Sequence, residues 1–324
     1  MPGMPSDPGS THEITFDQNG GTVLWVTGQN YDTLVKVSLN GQLQLYSLPS
    51  GSGPHGIAFD AAGQLWVTLE FSGKIAKIDD NGNIVAEYDA NLVCTTCPQP
   101  INTHPHGLGI GSDGATVWYT GKATGTVGRV MPDGEVENYA LKNVGSVPIY
   151  IKAGPDGNMW VTELVGNAIA RVTPEGLVTE FPIPTFNSRP IAIVPEPDGK
   201  AMWFSEEASD KVGRITLDGT ITEYQVPKRQ RNVILAALWF DNQGNLWTQQ
   251  YVDENNPRPK GPDYIVRIDK SIVTTDPSRI GKIPITFYAV PTRQTVMHRI
   301  IQGPDQALWF TELFANKVGR LVPK

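Results

Sequence analysis

Apolar residues in this chain fall in short alternating runs, broken every few positions by Gly, Asp, Asn or Pro. No stretch sustains a helical period, so the pattern predicts strands and tight turns. The clearest unit reads "PHGIAFDAAGQLWVTLEFSGKIAKIDDNGNIVAEY" from Pro54 to Tyr88. It parses into four strands, about His55–Phe59, Leu65–Thr68, Lys74–Ile78 and Ile84–Tyr88. The last two are joined by Asn81-Gly82, and related units carry Asp133-Gly134, Glu175-Gly176 and Asp218-Gly219 there. Such pairs favour hairpins because they tolerate positive φ. A tryptophan opens the second strand of every unit, at Trp25, Trp66, Trp118, Trp160, Trp203, Trp247 and Trp309, spaced 41, 52, 42, 43, 44 and 62 residues apart. Seven four-stranded units of this length predict an all-β, seven-bladed β-propeller forming one domain over residues 1–324.

The last unit stops after its third strand, at Val318–Val322. Either the first ten residues supply the missing outer strand or that blade stays three-stranded. With strands lettered A to D outward from the channel, the D–A and B–C connections share one face. The A–B and C–D turns share the other. Two insertions, Asp89–Pro105 (D–A) and Tyr251–Tyr264 (B–C), are therefore expected to wall a pocket on one face, and a smaller one near Lys270–Lys282 belongs to the opposite face.

Composition adds exclusions. The formal charge is −7, the wrong sign for a nucleic-acid partner. The longest apolar run, Val233–Phe240, is far too short to span a bilayer. Met1–Ser10 lacks the apolar core of a signal peptide, and there is no Asn-x-Ser/Thr sequon. The compartment stays open: a soluble protein, secreted or lumenal if the N-terminus has been trimmed.

The chain has five histidines: His12, His55, His104, His106 and His298. Four of them, all but His104, share the start of strand A in blades 1, 2, 3 and 7, which adjoin around the ring. Ile149, Ile191 and Ala236 hold that position in blades 4, 5 and 6. One arc of the channel mouth is thus expected to carry imidazoles, suited to proton transfer, and the other to be apolar. The competing reading is a turn residue copied by duplication.

Acids converge on the same face three or four residues past the repeat Trp: Glu70, Glu163, Glu206 and Glu312. Glu70 with His55, and Glu312 with His298, are candidate base–orienter pairs. Glu163 and Glu206, in blades without histidine, read better as structural. Arg299, beside His298, is a candidate anion or enolate holder, with a salt bridge as the alternative. Cys94 and Cys97 form a CxxC in the D–A insertion. A local disulfide is the favoured reading; ligand types would also allow zinc with His104 and His106. No phosphate-binding Gly loop, GxSxG or HExxH is present.

The units "GPDGNMWVTELVGNAIARVTPEGLVTEFPIP" and "GPHGIAFDAAGQLWVTLEFSGKIAKI" resemble those of the virginiamycin B (streptogramin) lyases, over nearly the whole chain. The resemblance implies a seven-bladed propeller that opens cyclic depsipeptides by elimination, with Mg²⁺, histidines and a Glu at the channel mouth. His55 with Glu70 and His298 with Glu312 match the family's catalytic pairing. The family also places a Glu two residues before its catalytic histidine, where this chain has Gly53 and Val296, and a histidine in the preceding blade, where this chain has Ala236. These departures and the "CTTC" insertion look more like the family's fungal relatives. Some of those dehydrate a tropolone alcohol to a quinone methide and guide its hetero-Diels–Alder capture by a terpene.

The expectation is therefore a natural-product enzyme of lyase type acting on a small hydrophobic or aromatic metabolite, with no cofactor. His298 and His55 would transfer protons, Glu312 and Glu70 would orient them, and Arg299 would hold an oxyanion. His12 and His106, extending the arc, would contact substrate together with Tyr150, Ile149, Ile191, Trp239 and Tyr264. A Mg²⁺-dependent streptogramin lyase, a non-catalytic binding scaffold and a metal-dependent lactonase are the alternatives.

Overall fold

The structure is a computed structural model describing residues 11–17, 20–252 and 262–323. Seven antiparallel sheets stand around a central channel, each running outward in chain order, and successive first strands touch all the way round. The last of them, Met297–Gln302, meets the first, Ile14–Phe16, and closes the ring. Six blades have four strands. Among the described residues the seventh has three (Met297–Gln302, Leu308–Glu312, Lys317–Leu321), and the first ten residues, whose part in its closure the sequence left open, lie outside them. No helix in the described residues is long and apolar enough to cross a membrane.

All seven repeat tryptophans lie on strand B and are buried between blades. In five blades the indole N–H donates to an acid of the A–B turn: Asp60, Asp156, Glu196, Asp241 and Asp305. A strand-D aromatic packs on the ring, as Tyr46 does on Trp25 and Phe181 on Trp160, while a strand-C cation covers it, as Lys77 does Trp66 and Arg171 does Trp160. The buried indole is thus both packed and hydrogen-bonded, as a buried polar group must be. The C–D hairpins bend as their dipeptides predict: Gly134, at φ +94°, takes a conformation that only glycine adopts readily.

The D–A insertion folds over the blade-2 B–C turn, with Asn102 donating to the Phe71 carbonyl, and Cys94 and Cys97 form a disulfide within it. Sulfurs joined in this way cannot serve as thiolate ligands, which removes the zinc reading with His104 and His106. Most of the Tyr251–Tyr264 insertion lies outside the described residues. Residues 270–282 form two 3₁₀ turns, tied to the A–B side through the Lys270 N–H to Asn245, on the face expected.

Candidate active site

Strand A is irregular at its first residues. The ladder slips between Pro54 and Ile57 in blade 2, between Pro148 and Tyr150 in blade 4, and between Met297 and Ile300 in blade 7. A strand-B hydroxyl repairs each slip. Thr68 accepts from the Gly56 N–H at 2.6 Å and donates to the His106 carbonyl of the next blade at 3.0 Å. Thr27 does the same for Glu13 and His55, Thr120 for Gly107 and Ile149, and Thr311 for Arg299 and His12. This girdle fixes the backbone that carries each histidine. Gly56 is needed where it stands, since a Cβ there would lie 2.5 Å from the His106 carbonyl.

The four expected imidazoles meet. Ring centroids are 3.6 Å apart for His55 and His106, 4.8 Å for His12 and His55, 5.2 Å for His12 and His298, and 5.7 Å for His55 and His298. His55 and His106 are buried, whereas His298 keeps 21% of its side chain exposed. Burial is the first cause holding all four below the usual imidazole pKa, His12 to about 3. Charged neighbours, Arg299 among them, add to it. At neutral pH these rings are neutral.

The carboxylate that serves this cluster is Glu13, which the sequence reading passed over. Its Oε1 is 3.4 Å from His298 Nε2, and Arg299 Nε contacts both of its oxygens, at 2.6 and 2.7 Å. Burial alone would raise its pKa, but Arg299 and His298 outweigh that and hold it at about 2. One signal in the sequence pointed to it: the residue after the repeat histidine is acidic in blade 1 (His12-Glu13) and basic in blade 7 (His298-Arg299), and those blades adjoin.

Several expected roles are not supported by position. Glu312 does not reach His298. It lies three residues past its Trp, like Glu163 and Glu206, and its surroundings are Thr292, Lys317 and Asp263. Glu70 lies four past, and side chains alternate along a strand, so it faces the other way from Glu312. It meets the +4 residues of the flanking blades, Gln29 at 2.5 Å and Lys122 at 3.1 Å. Unlike Glu312 it does come near its histidine, with one oxygen within 4.8 Å of a ring nitrogen of His55 and of His106. Arg299 is not a free anion holder. It is buried, paired with Glu13, and crosses the channel to lie 4.2 Å from the Tyr150 ring centroid of blade 4. Ile149 is buried and offers its carbonyl to His106 Nδ1 at 3.0 Å, and the Ile191 carbonyl accepts from Thr162. Trp239 lines a cavity of about 420 Å³ with Phe16, Phe240 and Gln302, at the opposite mouth, because three residues past Ala236 the strand has traversed the channel. Tyr264 packs edge-on against Phe287 on a core cluster between blades 5 and 6.

A sequence profile of the virginiamycin B lyase family matches residues 91–256, half of the chain. The chain belongs to the virginiamycin B lyase family. A streptogramin B lyase structure is 26% identical at a TM-score of 0.78, covering 97% of this chain and 93% of that one. The virginiamycin B lyase of Staphylococcus aureus is 28% identical at 0.77, covering 98% and 96%. A catalytically inactive histidine-to-alanine variant of that enzyme, bound to quinupristin, is likewise 28% identical at 0.78, covering 98% and 96%. No curated protein sequence matches the chain.

Mg²⁺, which membership of this family implies, fits the residues of this mouth poorly. The ion wants octahedral oxygen ligation. Here the donors are mainly imidazoles, Val296 offers no side-chain oxygen, and Glu13 is already neutralised by Arg299. This virginiamycin B lyase family member presents a nitrogen-rich mouth.

Proposed function

We propose that this chain is a lyase-type enzyme that removes a proton and expels a leaving group from a small hydrophobic or aromatic metabolite, with His298 as the base. The observation that carries this is the pairing of His298, a partly exposed neutral imidazole, with the buried carboxylate of Glu13. With Nε2–H turned toward Glu13, Nδ1 is left to accept a proton. The C–H electron pair becomes the new double bond, the leaving group departs with its own bonding pair, and the imidazolium returns the proton to it. Glu13, held anionic, favours the imidazolium that forms in between. Arg299 acts beneath, fixing Glu13 and capping Tyr150. Exposed Phe71, Val165 and Phe314, at equivalent B–C turns, and Phe186 ring the same face with apolar surface, which suits an apolar substrate.

The test is turnover of a cyclic depsipeptide of the streptogramin B class and of an aryl carbinol that can dehydrate. His298→Ala should lower kcat about 10²–10⁴-fold with melting unchanged, and Glu13→Gln should lower it and displace the acid limb of the pH profile. Added Mg²⁺ should not alter the rate. Full turnover by His298→Ala would overturn the reading in favour of a binding scaffold, and turnover that requires Mg²⁺ would restore the streptogramin-lyase chemistry.

A further inference from the structure

Two of the clustered imidazoles are too deep to meet a substrate. His55 is 1% exposed and His106 5%, and beside them Glu70 is 3% exposed. One ring nitrogen from each histidine and one Glu70 oxygen all lie within 4.8 Å of one another. The two rings are oriented alike. Nδ1 of His55 lies 3.2 Å from the His106 carbonyl, and Nδ1 of His106 lies 3.0 Å from the Ile149 carbonyl. A carbonyl only accepts, so each Nδ1 carries the proton and each Nε2 the lone pair. Ligating histidines are held in the same way by backbone acceptors. The His55 Nε2 lone pair is buried with no hydrogen-bond partner, and a buried polar atom in that condition calls for an explanation.

We propose that His55, His106 and Glu70 bind a divalent first-row transition ion such as zinc, between blades 2 and 3. Two imidazoles and one carboxylate suit such ions, whereas Mg²⁺ prefers oxygen alone. Metal–ligand bonds of about 2.0–2.2 Å require the triad to draw in by roughly an ångström. Lys122, with 38% of its side chain exposed, is the cation that contacts Glu70 at 3.1 Å, and an incoming ion competes with it. His104 Nδ1 is 4.0 Å from the same oxygen, with 41% of its side chain exposed, and stands at the outer side as a fourth donor. The site uses neither His298 nor Glu13, so it stands or falls apart from the elimination reading.

The test is titration of chelator-treated full-length protein with Zn²⁺ by calorimetry and with Co²⁺ by visible ligand-field absorption, with Mg²⁺ as the control. One Zn²⁺ or Co²⁺ per chain is expected, and no Mg²⁺ uptake at the same concentrations. His106→Ala and Glu70→Gln should each weaken binding by about tenfold or more. Lys122→Met should tighten it several-fold by removing the competing cation, a gain that a merely structural cluster would not give. His298→Ala should leave affinity unchanged. If His106→Ala fails to fold, the opposite signs of Glu70→Gln and Lys122→Met still decide the matter. Absence of one-to-one binding would overturn the proposal. So would binding that survives Glu70→Gln and His106→Ala but is lost in His12→Ala or His298→Ala, which would assign the ion to the outer rings instead.

Discussion

Glu163 shows how burial sets the charge of a single side chain in this ring. Desolvation, with Glu180 nearby, pushes its pKa up to about 7, and desolvation does the same to Glu206. A carboxyl whose folded pKa is raised contributes its stability fully below the unfolded value near 4.5, and loses it as pH climbs toward 7. The histidines and Glu13 work in the other direction. Their folded pKa values are depressed, so their contribution is present at neutral pH and is lost as pH falls, below about 6.5 for the imidazoles and below about 4.5 for Glu13. Glu163→Gln should therefore stabilise the protein at pH 8 by about 1–3 kcal/mol and leave it unchanged near pH 4.5, as followed by thermal melts at the two values. A larger gain at pH 4.5 would refute the assignment. At this scale the sequence was only partly legible. Residue type and repeat position brought out the four imidazoles, because a histidine at the start of strand A recurs visibly. Glu13 stayed hidden: its partner Arg299 is 286 residues away along the chain, and only closure of the ring brings them together.

Strands and turns were read closely from periodicity and hairpin dipeptides, since both are local properties. The misreadings were of side-chain direction. Grouping Glu70 with Glu312 ignored a one-residue offset from the repeat Trp, and in a strand one residue exchanges one side of the sheet for the other. Trp239 was placed at the wrong end because a strand of eight residues crosses the whole channel. The strand-B threonine, two residues past the repeat Trp, is the element that holds one blade's irregular first strand to the next. Thr68→Val keeps the shape but strands the Gly56 N–H and removes a donor from the His106 carbonyl. A loss of about 2 kcal/mol is expected, read as a lower denaturation midpoint with an unchanged m-value. Thr68→Ser should recover most of it, and no loss on Thr68→Val would show that the hydroxyls are incidental to the girdle.

At the scale of the molecule, the blade count followed from seven tryptophans, but the manner of closure did not, because the ion pair that seals it joins residues 286 positions apart along the chain. Blades 7 and 1 are joined by Thr311 to the His12 carbonyl and by the buried Arg299–Glu13 pair. Removing one partner of such a pair leaves an uncompensated buried charge, so Glu13→Ala should cost about 3–5 kcal/mol. The loss should be concentrated at that seam, seen as faster amide exchange in strands 14–16 and 297–302. Uniform loss of protection across all blades would show that the seam is no weaker than the rest.

The reach of Arg299 from the seventh blade onto Tyr150 of the fourth lays a bar across the bore of this ring. Whatever descends among the imidazoles is therefore expected to turn at that bar and leave by the way it came. Substrate and product then queue at one door, so accumulated product should slow the reaction by occupying the place of the next substrate molecule. Inhibition should be competitive, and shortening Arg299 would be the change that lets the two ends of the bore communicate.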